Sequence, residues 1–166
     1  MGCGEGFYTI PLARFLGSSG KVCAEDISDI ELTKLKENLG KEGLQNVEVT
    51  KGVVGDPKLP VGRLDAALIV NAYHEMTKHE AMLGHTLEAL KPGGTFVLME
   101  GIWESREAQS RDEQIKHHQL APGLARAEVE SAGFEIVGLR DPFIERPPDE
   151  DGKSRWWILV ARKPVR

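Results

Sequence analysis

Cysteine is scarce. Cys3 and Cys23 are the only two in 166 residues, which excludes a disulfide framework and a four-cysteine zinc site. No stretch reaches the ~18 consecutive apolar residues of a membrane span, and no secretory leader pattern opens the chain. Positive charge is not in surplus either. Twenty-one Lys and Arg against 26 Asp and Glu leave a net charge of −5, so no nucleic-acid surface is expected. These absences leave a cytoplasmic globular protein as the expectation. With 40% hydrophobic and 28% charged residues, the chain is long enough to bury a core as one domain over residues 1–166.

What the sequence does have is glycine in a pattern. Gly2, Gly4 and Gly6 alternate and lead into residues 7–16, whose apolar positions fall close to a helical stripe. A glycine turn opening a helix lets backbone approach a ligand and aims free N–H groups at it. Downstream, residues 21–26 read as a short strand with an acidic end. Residues 28–40 read as a helix, with Ser28 and Glu31 as a capping box and Ile30, Leu32, Leu35 and Leu39 as its inner face. A strand is expected at 46–50, a loop at 52–62, and a strand buried on both faces at 64–70. A polar loop at 71–76, a helix at 78–90, the turn Lys91-Pro92-Gly93-Gly94 and a strand at 95–100 follow. Residues 103–118 are polar and helical in propensity. A helix at 124–132, a strand at 134–139, a Pro-rich charged loop at 141–153 and a strand at 155–162 close the chain. Helices separate most of the strands, and the last two are joined without one, which implies a parallel sheet ending in an antiparallel hairpin.

The third glycine, Gly6, comes one position too early for a dinucleotide fingerprint, and Phe7 stands where that fingerprint has glycine. The G-x-G-x-G spacing with an acid about 20 residues on resembles the class I S-adenosylmethionine-dependent methyltransferases. Residues 21–28, Gly55-Asp56 with Leu59-Pro60, Leu90 to Gly94, Ala132-Gly133-Phe134 and the C-terminal hairpin resemble that family in the same order. The resemblance implies an α/β fold with a Rossmann-like methyltransferase sheet, S-adenosylmethionine as cofactor and methyl transfer to a small-molecule acceptor. It implies cofactor contacts at Gly2, Cys3, Gly4, Gly6, Asp26, Ile27, Asp56 and Asn71. The carboxylate of the cofactor suits the N–H groups of the glycine turn, and Asp26 can accept from both ribose hydroxyls, with a helix-dipole acid before Ser28 as the alternative. Ile27 would lie against adenine and Asp56 would accept from its amino group; plain packing and a turn before Pro57 are the alternatives for these two.

Residues 71–75 fall at the C-terminal end of the most apolar strand, where open α/β sheets bind ligands. His74 is the candidate base and Tyr73 a candidate wall of the methyl pocket; the alternative is that both pack under a loop as a helix entry. Of His117 and His118, His118 is the one assigned to the acceptor; neighbours on a helix diverge, so no joint metal site is expected there. Arg146, braced by Pro147-Pro148, is a candidate for an anionic acceptor, with a solvated turn as the alternative. Trp156 and Trp157 point to opposite faces of their strand. Several thiols would be needed for an arsenite methyltransferase, and that acceptor is set aside. A nicotinamide oxidoreductase and a non-catalytic methyltransferase-like domain are the other functional readings, and a homodimer stays open. In the resembling family a central strand precedes the glycines. The expectation is therefore a sheet whose first central strand is missing, from a gene start placed at an internal methionine.

Overall fold

The computed structural model describes residues 1–147 and 152–165. The chain divides into two compact units, Met1–Leu59 and Pro60–Arg166. Among the described residues no helix is long and apolar enough to cross a membrane.

The first unit contains α1 (Thr9–Leu16), β1 (Val22–Asp26), α2 (Asp29–Glu42) and β2 (Val47–Lys51). β1 and β2 pair in parallel, from Val22 opposite Val47 to Asp26 opposite Lys51. Leu32, Leu35 and Leu39 recur at helical spacing and bury one stripe of α2 against Ala24, with Ile10, Leu44, Val47 and Val49 around it. Ile30 does not belong to this stripe. It lies two residues before Leu32, about 200° around the helix, and is 70% exposed. The capping box forms by half. Ser28 Oγ accepts from the Glu31 N–H at 3.3 Å, but the Ser28 N–H donates to Asp26 Oδ1 at 2.9 Å, and Glu31 pairs instead with Lys34. Asn46 gathers the carbonyls at the end of α1: its amide donates to Ala13, Gly17 and Gly20.

The second unit contains β3 (Leu64–Val70), a 3-10 turn at Tyr73–Glu75, α3 (His79–Ala89), β4 (Leu90–Trp103), α4 (Arg111–Ile115), α5 (Pro122–Ser131), β5 (Glu135–Glu145) and β6 (Ser154–Arg162). Its sheet runs β3-β4-β6-β5. β3 and β4 are parallel, and β6 is antiparallel to both β4 and β5, so the expected hairpin closes the sheet with its later strand inserted beside β4. Every second residue of β4 points into the core: Phe96, Leu98, Glu100 and Ile102 are each at most 1% exposed. Leu159 and Ala161 of β6 are equally buried. Trp157 is fully buried and its indole N–H donates to the Leu120 carbonyl at 2.8 Å, whereas Trp156, on the other face, lies under the Arg146 guanidinium.

Several boundaries differ from the sequence expectation. β3 is buried only toward its C-terminal end; Leu64 is half-buried, and Asp65 and Ala66 are exposed. The Lys91–Gly94 turn is absorbed into β4 as a bulge, because Gly93 takes φ +76° and the strand pairs across it with Lys163. Residues 103–118 form only a 3-10 turn and the five-residue α4, held by the buried Gln114, whose amide donates to the carbonyls of Arg106, Glu107 and Gln109. α5 starts at Pro122 rather than after it, since proline fits the first helical position. β5 runs on through Glu145, so part of the expected 141–153 loop is strand. Pro148 and Asp149 lie outside the described residues.

Leu35 is fully buried in the α2 stripe. Leu35→Ala is expected to cost ~2–5 kcal/mol of stability, read as a lower denaturant midpoint with an unchanged slope.

Candidate functional site

In the first unit the glycine turn runs through left-handed backbone, which glycine adopts at least cost. Gly2, Gly4 and Gly6 all have positive φ, at +62°, +50° and +106°. A side chain at Gly6 would also put its Cβ 2.7 Å from Leu35 Cδ1, so this glycine lets α2 approach. Gly4 is different: the nearest atom to a Cβ there is Glu31 Oε2 at 3.8 Å, and its surface is open to a ligand.

Asp26 holds this turn. Its Oδ2 accepts from the Gly4 N–H and its Oδ1 from the Ser28 N–H, both at 2.9 Å. One carboxylate thus fixes the glycine turn and the start of α2. Each oxygen has a further lone pair for a hydroxyl donor. The Cys3 N–H donates to the Glu25 carbonyl. Burial, and then the neighbouring Asp26 charge, push the Cys3 thiol up to about 12. Ile27 presents its side chain at the end of β1, 54% exposed, free to meet a flat apolar ring. Asp56 accepts from the Lys58 N–H at 2.8 Å and ion-pairs with the Lys58 ammonium, which is the geometry of a turn aspartate.

In the second unit the segment after β3 is far from a polar loop. Tyr73 and His74 are 0% and 4% exposed. Glu100, at a core position of β4, accepts from the Tyr73 N–H at 2.7 Å and the His74 N–H at 3.3 Å, and meets His74 Nδ1 at 2.8 Å. His74 Nε2 faces Glu75 Oε1 at 3.3 Å. Burial disfavours the imidazolium, but Glu100 and then Glu75 outweigh it, and the His74 pKa is raised. His118, in a left-handed conformation at φ +56°, hydrogen-bonds Glu75 Oε1 through Nδ1. His117 is exposed. Asn71, also left-handed at φ +50°, is exposed, and its N–H donates to the Met99 carbonyl. The Tyr73 hydroxyl donates to Glu128 at 2.8 Å, and Glu128 is gripped by Arg111 at 2.7 Å. Burial and the Glu128 charge drive the Tyr73 phenol well above its ordinary pKa, so it acts as a neutral donor.

The structure therefore brings His74 and His118 together through Glu75 and ties Tyr73 to a separate carboxylate. Glu75, Glu100, Arg111 and Glu128 are not among the residues singled out from sequence. Glu100 alone carried a readable sign: with Phe96, Leu98 and Ile102 it falls on the inner face of an alternating strand, where an acid needs a partner. The other three are brought in by packing. With Cys23 replaced by serine, Cys3 is expected to react with iodoacetamide at pH 8 at least ~10-fold more slowly than an ordinary thiol, its small thiolate fraction outweighing the higher nucleophilicity of that thiolate. Alkylation followed by mass spectrometry gives the rate.

Comparison with known proteins agrees with the glycine turn. The chain is 29% identical over 150 residues to a ubiquinone/menaquinone biosynthesis C-methyltransferase of Shewanella pealeana, covering 89% of this chain and 59% of that one. It is 26% identical to an arsenite methyltransferase of Halobacterium salinarum, covering 100% of this chain and 46% of that one. The chain spans about half the length of these curated relatives. Its fold matches a SAM dependent methyltransferase from Aquifex aeolicus with a TM-score of 0.76 at 21% identity, over 98% of this chain and 79% of that one. The Methyltransferase domain family model matches residues 1–94, more than half of the sequence, from the glycine turn through β3 to the Gly93-Gly94 bulge, and the chain belongs to that family.

Proposed function

We propose that this chain binds S-adenosylmethionine through its first unit and transfers the methyl group to a small-molecule acceptor. The observation that carries the reading is the Asp26 carboxylate bonded to both the Gly4 turn and the start of α2. The residues fit the cofactor. The open surface over Gly4 and the N–H groups of the turn suit a carboxylate, Asp26 keeps acceptor capacity for ribose hydroxyls, and Ile27 is exposed beside it. Gly2, Cys3 and Gly6 shape the turn, and Asp56, in the same unit, is assigned to the adenine side. When bound, the cofactor supplies a sulfonium-activated methyl group. The protein's own part is to align an acceptor in line with the methyl–sulfur bond and to take a proton where the acceptor carries one.

His74 is suited to that proton, since Glu100 stabilises the charge it would gain. Tyr73 holds the turn, and His118 with Glu75 lines the approach to Nε2. The relatives, a ubiquinone/menaquinone biosynthesis C-methyltransferase and an arsenite methyltransferase, support a small acceptor rather than a nucleic acid. With two cysteines, an arsenite acceptor lacks the thiols it calls for. Residues 1–166 are read as one functional domain, supported by a family match that runs across the Leu59–Pro60 boundary between the units.

Calorimetric titration with S-adenosylhomocysteine tests the cofactor. One equivalent is expected to bind, Asp26→Asn is expected to weaken it ~10–100-fold, the range for losing a charged hydrogen bond, and NADH should give no heat. Binding of NADH in place of S-adenosylhomocysteine, or of neither, overturns the reading.

A further inference from the structure

His74 poses an electrostatic problem that the methyl-transfer reading does not solve. Its Nδ1 lies 2.8 Å from Glu100 Oε2, and Glu100 is wholly buried with no hydrogen of its own to give when ionised. With Glu100 as the acceptor, the proton is assigned to Nδ1. In the neutral ring this leaves the lone pair on Nε2, and Nε2 faces Glu75 Oε1 at 3.3 Å. Two acceptors then confront each other at the mouth of a buried imidazole. A positive centre between them removes the conflict, whether a proton or a metal ion.

Three features favour the ion. His74, Glu75 and His118 each offer one ligand atom, all within 4.8 Å of one another. The 3.3 Å separation of His74 Nε2 and Glu75 Oε1 equals the edge of a tetrahedron with metal–ligand bonds of ~2.0–2.1 Å, about 3.3 Å. Behind the ring, Glu100 reproduces the carboxylate–histidine arrangement that orients metal-binding imidazoles and raises their basicity. Glu100 is itself locked by the Tyr73 and His74 N–H groups. The charges also balance: Glu75 as a ligand and Glu100 behind His74 offset a dication.

We propose that His74 Nε2, Glu75 and His118 Nδ1 bind one divalent transition-metal ion of the zinc type, with a fourth position open. Two histidines and a carboxylate with a vacant site is a donor set that favours such ions over magnesium or calcium, which prefer all-oxygen shells. Binding replaces the hydrogen bond between His118 and Glu75, whose ligand atoms must part by about 1 Å to reach the tetrahedral edge. Both side chains are exposed, at 72% and 60%, so the movement meets little packing. The ion would take the lone pair that otherwise receives a proton from an acceptor, so metal and proton compete at one atom. The open fourth position would receive an oxygen, nitrogen or sulfur donor of a small molecule. This site lies within the second unit and does not rest on the cofactor reading.

The test titrates Co²⁺ and Zn²⁺ separately into chelator-treated protein, following heat and, for Co²⁺, visible absorption. One equivalent is expected, with the intense visible bands of a tetrahedral Co²⁺ centre. His118→Ala and Glu75→Gln, both at exposed positions, should each weaken binding at least ~100-fold, as for loss of a direct ligand. Glu100→Gln should weaken it ~10–100-fold while keeping one equivalent, as for loss of an outer-shell partner. Because Glu100 is buried, circular dichroism of that variant accompanies the titration; if it fails to fold, His118→Ala and Glu75→Gln decide the outcome. Absence of binding, or binding that survives both of those substitutions, overturns the site. Asp26→Asn should leave the metal titration unchanged, which separates failure here from failure of the cofactor reading.

Discussion

The second unit is built around one buried charge. Glu100 occupies a position on β4 that its neighbours Phe96, Leu98 and Ile102 make apolar, and an unpaired carboxylate there would cost several kcal/mol. Two backbone N–H groups and one imidazole satisfy it. All three come from the turn after β3, so the carboxylate draws Tyr73 and His74 inward and fixes the ring's orientation. The exposed Glu75 and His118 meet the ring's other nitrogen only because that orientation is set from behind.

Asp26 plays a comparable part in the first unit. It sits at the end of a strand, and its two oxygens hold the glycine turn and the first residue before α2. It also displaces Glu31 from the capping box, which leaves Glu31 to pair with Lys34. The same carboxylate that stabilises the local fold presents unused lone pairs beside an open stretch of backbone over Gly4. Structure and recognition here draw on one group, so substitutions at Asp26 need a folding control.

Periodicity made most of the elements legible. The Leu32, Leu35 and Leu39 stripe, the alternation of β4 and the closing hairpin all follow from where apolar side chains must point. It failed where local and tertiary preferences diverge. Residues 103–118 have helical propensity but no apolar stripe, and their backbone carbonyls are taken by the Gln114 amide instead. The Gly93-Gly94 pair signals a turn, yet pairing with β6 keeps it in the strand as a bulge.

The sequence by itself determined the α/β class, the family and the glycine turn, because glycine at positive φ and an acid at a strand end are local demands that spacing records. Only the tertiary structure decided what surrounds His74 and His118. They lie 44 positions apart, and Glu75 joins them from a turn that Glu100, on another strand, pulls into the core. No periodicity encodes that meeting; it follows from the requirement that a buried carboxylate find its donors.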